Sequence, residues 1–217
     1  MKIMLIGATG RSGQEVMKQA LEVGYEIVAY VRRPEAIEKK KNVTVVGGQL
    51  DNLELMIQTA KDCDAIIVTL GPKISDRNSN LMELAIPNVI AVAKAAQVSR
   101  VIVLSALGVG ETYKNTQFPY RLGAKTSLRG NFKDHQSGEI QLATSGLNWT
   151  TIHPGPLFDG EKTSNPIIED AASGFKMPGA PRTFRGDVAY AILKILSDSE
   201  TYGKQILVTS THPKNGK

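Results

Sequence analysis

The chain has 217 residues, 41% of them hydrophobic and 22% charged, with no polar low-complexity tract, so one globular α/β domain is expected and a disordered chain is excluded. Lys and Arg outnumber Asp and Glu by 26 to 21, but the excess is diffuse, and its densest run, Glu38-Lys39-Lys40-Lys41, falls at a predicted helix end, which points away from nucleic acid. A single cysteine, Cys63, rules out an internal disulfide; nothing resembles a secretory signal, and no apolar run approaches the ~20 residues of a bilayer span, so a cytoplasmic chain without membrane segments is expected.

The first predicted element is a strand at residues 2–6, apolar and β-prone, which runs into a glycine turn and a helix at 14–23 marked by Val16, Met17, Ala20 and Leu21 and closed by Gly24. Strands follow at 27–31, 43–46 and 65–70, with helical segments between them. A longer helix is predicted at 81–96, then a strand at 101–104 that is apolar on both faces, as a central parallel strand is. Residues 108–130 are too long and too rich in Gly, Lys and Thr for an ordinary connection. Helical spacing resumes at 138–144, a sixth strand is read at 149–152, and 154–181 is irregular and rich in Gly and Pro. A helix at 187–196 and a strand at 205–209 close the series. The repeated strand-helix alternation predicts a Rossmann-type, doubly wound, mostly parallel sheet with helices on both faces, one NAD(P)-binding domain over 1–217. The segments near 108–130 and 154–181 are expected to cover the ligand.

The turn after the first strand reads Gly7-Ala8-Thr9-Gly10-Arg11-Ser12-Gly13. Glycines at this spacing provide a tight turn, close approach of backbone to a pyrophosphate, and close packing of helix on strand. The pyrophosphate then rests on the free N–H groups of the helix start, where Thr9, Arg11 and Ser12 add side-chain contacts. The second strand ends in Val31-Arg32-Arg33, where an NAD-specific site would carry an acid for the ribose 2′-hydroxyl. Planar guanidinium donors there suit a 2′-phosphate, so NADPH is expected, with NADH as the alternative. Leu50-Asp51 and Leu70-Gly71 close the third and fourth strands at the ligand-binding edge. Asp51 is read either as a partner of the adenine amino group or as a helix N-cap.

These motifs, together with Ser145-Gly146-Leu147-Asn148-Trp149-Thr150 and Pro154-Gly155, resemble the atypical short-chain dehydrogenase/reductase superfamily over nearly the whole chain. The nearest likeness is to its flavin reductase and biliverdin reductase B group, which Asp134-His135 marks more particularly, with the NmrA-like proteins further off. The resemblance implies NAD(P)H-dependent hydride transfer to a planar conjugated small molecule such as a flavin or quinone. It implies that Ser105 lies beside nicotinamide and substrate, and that His135 and Pro154 approach the cofactor. The superfamily's usual Tyr-x-x-x-Lys pair is not found: Tyr120 and Lys125 are one residue too far apart, and Asn131 and His135 fall where the tyrosine and lysine would be. Two other readings stay open, an NADP(H)-sensing regulator of NmrA-like type and an epimerase that retains NAD.

Candidate catalytic residues are then Ser105, at the end of the fifth strand, and His153, at the end of the sixth, each weighed against a purely structural hydrogen-bonding role. Asp134 is read as the N-cap of a helix beginning beside His135. Cys63 between two aspartates reads as an unreactive turn residue, and no His, Cys or carboxylate cluster has metal-ligand spacing. Oligomeric state is not legible.

Overall fold

The structure, a computed structural model, describes residues 1–72, 76, 78–126 and 128–211. Its eight-stranded sheet runs in the order β3 (Val43–Gly47), β2 (Glu26–Val31), β1 (Lys2–Ile6), β4 (Ala65–Val68), β5 (Arg100–Leu104), β6 (Asn148–Pro154), β10 (Lys204–Thr209), β8 (Ile167–Asp170). All neighbours are parallel except β8, which pairs antiparallel with β10 at the edge. A two-stranded parallel ribbon joins β7 (Leu157–Phe158) to β9 (Thr183–Phe184).

The two-residue period of β1 explains the layers. Ile3 and Leu5 enter one core with Val16 and Ala20 of α1 (Arg11–Glu22) and Val188 and Ile192 of α6 (Arg185–Lys194). Met4 and Ile6 enter the other with Met56 of α2 (Leu53–Ala60), Ile86 and Val89 of α3 (Leu81–Ala95) and Leu142 of α5 (Arg129–Ala143). Each such side chain, fully buried, contributes about 1.5–3 kcal/mol of transfer free energy. β1 is followed by β2 on one side and flanked by β4 on the other, so the chain order reverses at β1 and opens a crevice over its carboxyl end. No helix of the described residues is long and apolar enough to cross a membrane.

Two helix starts and two segments depart from expectation. α1 starts at Arg11, directly on the glycine turn. α5 starts at Arg129, not near 138, because the buried face of its first turns is polar, Asn131, Asp134 and His135, and carries no apolar period. The segments near 108–130 and 154–181 are also less irregular than expected: the first holds a 3-10 helix, Gly110–Asn115, and α4 (Tyr120–Lys125), and the second holds β7 and β8.

Candidate functional site at the carboxyl ends of the strands

Gly7 has φ +92°, and a Cβ there would lie 2.7 Å from Thr69 Oγ1. A Cβ at Gly13 would stand 2.3 Å from the Gly7 carbonyl oxygen, so helix and strand approach as closely as backbone permits. Gly10 N–H closes the turn on Gly7 O at 2.9 Å, and Gly10, as N-cap, brings no side chain to the opening turn of α1. The N–H groups of that turn are therefore available to an anion, which the helix dipole also favours. Ser12 is buried at the turn, whereas Arg11 is exposed and paired to Asp159 at 3.1 Å. Asp159 also takes Arg185 at 2.7 Å, so the chain after β7 is drawn over the start of α1.

At the end of β2, Arg32 and Arg33 are exposed, and among the described residues no carboxylate pairs with either. Tyr30, which the sequence did not single out, donates its hydroxyl to Gln49 O at 2.7 Å; a Cβ at Gly48 would meet that hydroxyl at 2.1 Å. The Gly48–Asp51 strand end is thereby held against β2. Asp51 is exposed and free of capping duty, because Asn52 caps α2 by accepting from Leu55 N–H at 3.2 Å. Leu50 and Leu70 pack partly against the second core, while Gly71 is exposed at the end of β4.

Above Gly71 stands α5, whose Asn131, His135 and Glu139 follow at steps of four on one face. His135 Nε2 would lie 3.9 Å from a Cβ on Gly71; the ring is buried, its Nδ1 has no partner among the described residues, and burial pushes its pKa down to about 4, so it is neutral at physiological pH. Asp134 does not cap its own helix. From mid-helix it reaches across to α3 and accepts from Met82 N–H at 2.9 Å, Glu83 N–H at 3.0 Å and Ser79 Oγ at 3.0 Å. The helices meet at Gly138, where a Cβ would stand 2.9 Å from Ile86 Cγ1.

Ser105 follows β5 and donates its hydroxyl to Glu139 Oε1, while Glu139 Oε2 accepts from Gln205 Nε2 at 3.0 Å. Glu139 was missed by sequence reading although it falls inside the helical segment read at 138–144; its place two turns beyond Asn131 and one beyond His135 was the available signal. His153, expected as a candidate acid, is completely buried. Its Nδ1–H donates to Ala106 O at 2.9 Å and its Nε2 accepts from Thr151 Oγ1 at 2.9 Å, so the ring serves the protein interior and offers no atom to a ligand. Tyr120 donates to Leu107 O at 2.8 Å, and burial pushes its phenol up to about 12. Pro154 is buried, its carbonyl taken by Leu107 N–H at 2.8 Å. Burial pushes the Cys63 thiol up, and no His, Cys, Asp or Glu group among the described residues could hold a metal.

Beside this row a cavity of about 580 Å³ opens between the 3-10 helix, α4 and α5, lined by Gly108, Gly110, Tyr113 and Phe132 with Lys125, Arg129 and Lys133 at its rim. Another of about 600 Å³ lies between α1 and α6 at Val23 and Tyr25, at the opposite end of α1 from the glycine turn. The first adjoins the row; the second does not.

The fold defines a Rossmann-type architecture with its crevice over the carboxyl ends of the strands. The chain belongs to the family described as NAD(P)H-binding, whose model matches residues 7–199. It is 29% identical over 177 residues to the uncharacterized protein YwnB of Bacillus subtilis, covering 76% of this chain and 78% of that one. Among solved structures, the oxidoreductase ylbE of Lactococcus lactis superposes with a TM-score of 0.79 at 25% identity, over 97% of this chain and 91% of that one. A short-chain dehydrogenase/reductase of Veillonella parvula in complex with NADP has the same fold (TM-score 0.79, 20% identity, 96% and 94% covered). So does ChuY, an anaerobilin reductase of Escherichia coli O157:H7 (TM-score 0.79, 22% identity, 100% of both chains).

Proposed function

We propose that the chain is an NAD(P)H-dependent reductase that passes hydride to a planar conjugated small molecule of the flavin or quinone class, with NADPH as the preferred donor. The observation that carries this reading is the state of the Tyr120 phenol. Tyr120 is bound to Leu107 O and held neutral up to about 12, so it is not placed to exchange a proton with a substrate carbonyl. An acceptor that takes hydride directly from the placed donor, with no tyrosine acid at a carbonyl, fits such a site.

When bound, the cofactor supplies the hydride. Backbone at Gly7, Gly10 and Gly13, with Thr9, Arg11 and Ser12, would hold its pyrophosphate, and the fit rests on the uncapped start of α1. Arg32 and Arg33 would take the 2′-phosphate, and Leu50 and Asp51 would border the adenine. Leu70, Gly71, His135 and Pro154 would border the nicotinamide half, where the unpartnered His135 Nδ1 is suited to a ribose hydroxyl. Ser105 would face the acceptor, with the segments near 108–130 and 154–181 covering it. The fold shared with ChuY, an anaerobilin reductase, is in keeping with this reading.

Stopped-flow mixing of the chain with NADPH and a panel of flavins and quinones tests the proposal. NADPH oxidation well above the uncatalysed rate with at least one acceptor is expected. Tight binding of NADPH and NADP⁺ alike, with no oxidation by any acceptor, would overturn it in favour of a sensor.

A further inference from the structure

The hydroxyl of Ser105 is committed away from the crevice. Its hydrogen goes to Glu139 Oε1, a carboxylate whose side chain is only 9% exposed and whose other oxygen is occupied by Gln205. Among the described residues no lysine or arginine lies within ion-pair range of Glu139. The titratable groups that face it are His153, whose Nε2 is 3.6 Å from Oε1, and His135 one turn earlier on α5. The first adds no hydrogen-bond donor while its Nε2 accepts from Thr151. Water has a short route to the carboxyl, because a Cβ on Gly110 would lie 3.8 Å from Glu139 Oε2, and Gly110 and Gln136 line the 580 Å³ cavity.

The Ser105–Glu139 contact has two hydrogen arrangements. With Glu139 ionised, serine donates and shows only lone pairs to the crevice. With a proton on Oε1, the carboxyl donates to Ser105 Oγ and frees the serine O–H to point at a ligand. Resting on the reductase reading above, we propose that Glu139 is the positioning residue for Ser105 and the source of the proton that accompanies the hydride. The balance is complete. Hydride carries its electron pair to the acceptor, leaving it one negative charge. The Ser105 O–H bond breaks and gives its proton to the charged acceptor atom, while the serine oxygen takes the proton from Glu139. The Glu139 carboxylate then takes a proton from water in the cavity. Overall, one NADPH, one acceptor and one solvent proton give NADP⁺ and the two-electron-reduced, neutral product.

The test uses the full chain with Glu139→Gln and Glu139→Asp. Gln keeps the shape and an acceptor for Ser105 but has no proton to give. It is expected to slow NADPH oxidation on the order of 10²-fold and to abolish the solvent deuterium isotope effect, with the NADPH Kd unchanged within about twofold. Glu139→Asp is expected to recover part of the rate and the isotope effect, which a purely structural role would not do. A second readout needs no turnover. In chain carrying ¹³C-carboxyl glutamate and saturated with NADP⁺, the resonance lost in Glu139→Gln should shift when oxidised FMN is added, and should not shift in Ser105→Ala. Unchanged turnover in Glu139→Gln, or a Glu139 resonance indifferent to FMN, overturns the relay. A wild-type chain that oxidises no NADPH overturns the reductase reading, and the resonance still decides whether Glu139 and Ser105 respond to a ligand.

Discussion

Asp134, in the middle of α5, closes the start of α3: its Oδ1 lies 2.9 Å from Met82 N and 3.0 Å from Glu83 N, and Asn80, the N-cap residue in sequence, makes no side-chain cap. The two helices α3 and α5 are thus joined by one buried carboxylate. Asp134→Ala should leave two helix-start donors without partners and cost about 1–3 kcal/mol, read as a lower urea midpoint. Asp134→Asn, which keeps one oxygen acceptor, should recover roughly half of it. A loss under about 0.5 kcal/mol in the alanine variant would show that α3 is capped by water instead.

Burial of His135 gives a stability change with a definite sign. Its folded pKa, about 4, lies below the ordinary histidine value of 6.5, so protons bind the unfolded chain first. The folded state is unpenalised above about pH 6.5, loses stability as pH falls from there toward 4, and loses no more below that from this group. The full difference is on the order of 3 kcal/mol. His135→Gln, measured by denaturant titration at several pH values, should flatten the dependence across that window. A variant whose acid dependence matches the native chain would place the titration elsewhere.

Within the glycine turn, Gly10 and Gly13 should respond differently to the same methyl group. A Cβ at Gly13 meets backbone at 2.3 Å, whereas at Gly10 the nearest atom is 3.3 Å away. Gly13→Ala must separate α1 from β1, and should lose more than tenfold in NADPH affinity along with stability. Gly10→Ala should stay within severalfold in both. Fluorescence titration of NADPH together with thermal unfolding checks the contrast, and equal effects would mean that the turn yields without moving the helix.

Arg32 and Arg33, which no carboxylate pairs among the described residues, and the paired Arg11 make opposite predictions for the phosphates of the cofactor. Arg32→Glu or Arg33→Glu should weaken NADPH binding by at least about tenfold and leave NADH nearly unaffected, since charge-assisted contacts are worth about 1.5–3 kcal/mol. Asp159→Asn removes the carboxylate that now holds Arg11 at 3.1 Å, and should tighten NADPH severalfold. Parallel NADPH and NADH titrations read both, and equal losses for the two cofactors would remove the arginines from phosphate recognition.

The parallel sheet was legible from residues such as Ile3 to Ile6 and Val101 to Leu104, because strands buried on both faces write continuous apolar runs. The glycine turn was legible from its spacing: Gly13 answers to the Gly7 carbonyl a turn away, although the Cβ excluded at Gly7 would meet Thr69, distant in sequence. What escaped was carried by contacts distant in sequence. Nothing local marks Asp134 as the cap of a helix that starts 53 residues before it, at Leu81. The polar face of α5 hid its first two turns from a reading based on apolar period, and with them the row that sets Glu139 in line with Asn131 and His135. His153 looked available because a strand end is usually exposed; its burial depends on Thr151, Ala106 and Thr112 closing around the ring, which only the fold brings together.

The central claim is that this edge transfers hydride from NADPH, with Ser105 at the acceptor. Single-turnover mixing of the chain, loaded with NADPH deuterated at the transferred C4 position, against FMN and a benzoquinone tests it most directly. The expected result is a nicotinamide absorbance decay that requires acceptor, slows with deuterium, and slows further in Ser105→Ala while NADPH affinity holds. An NADPH absorbance that stays constant with every acceptor, in a chain that demonstrably binds the cofactor, would contradict it.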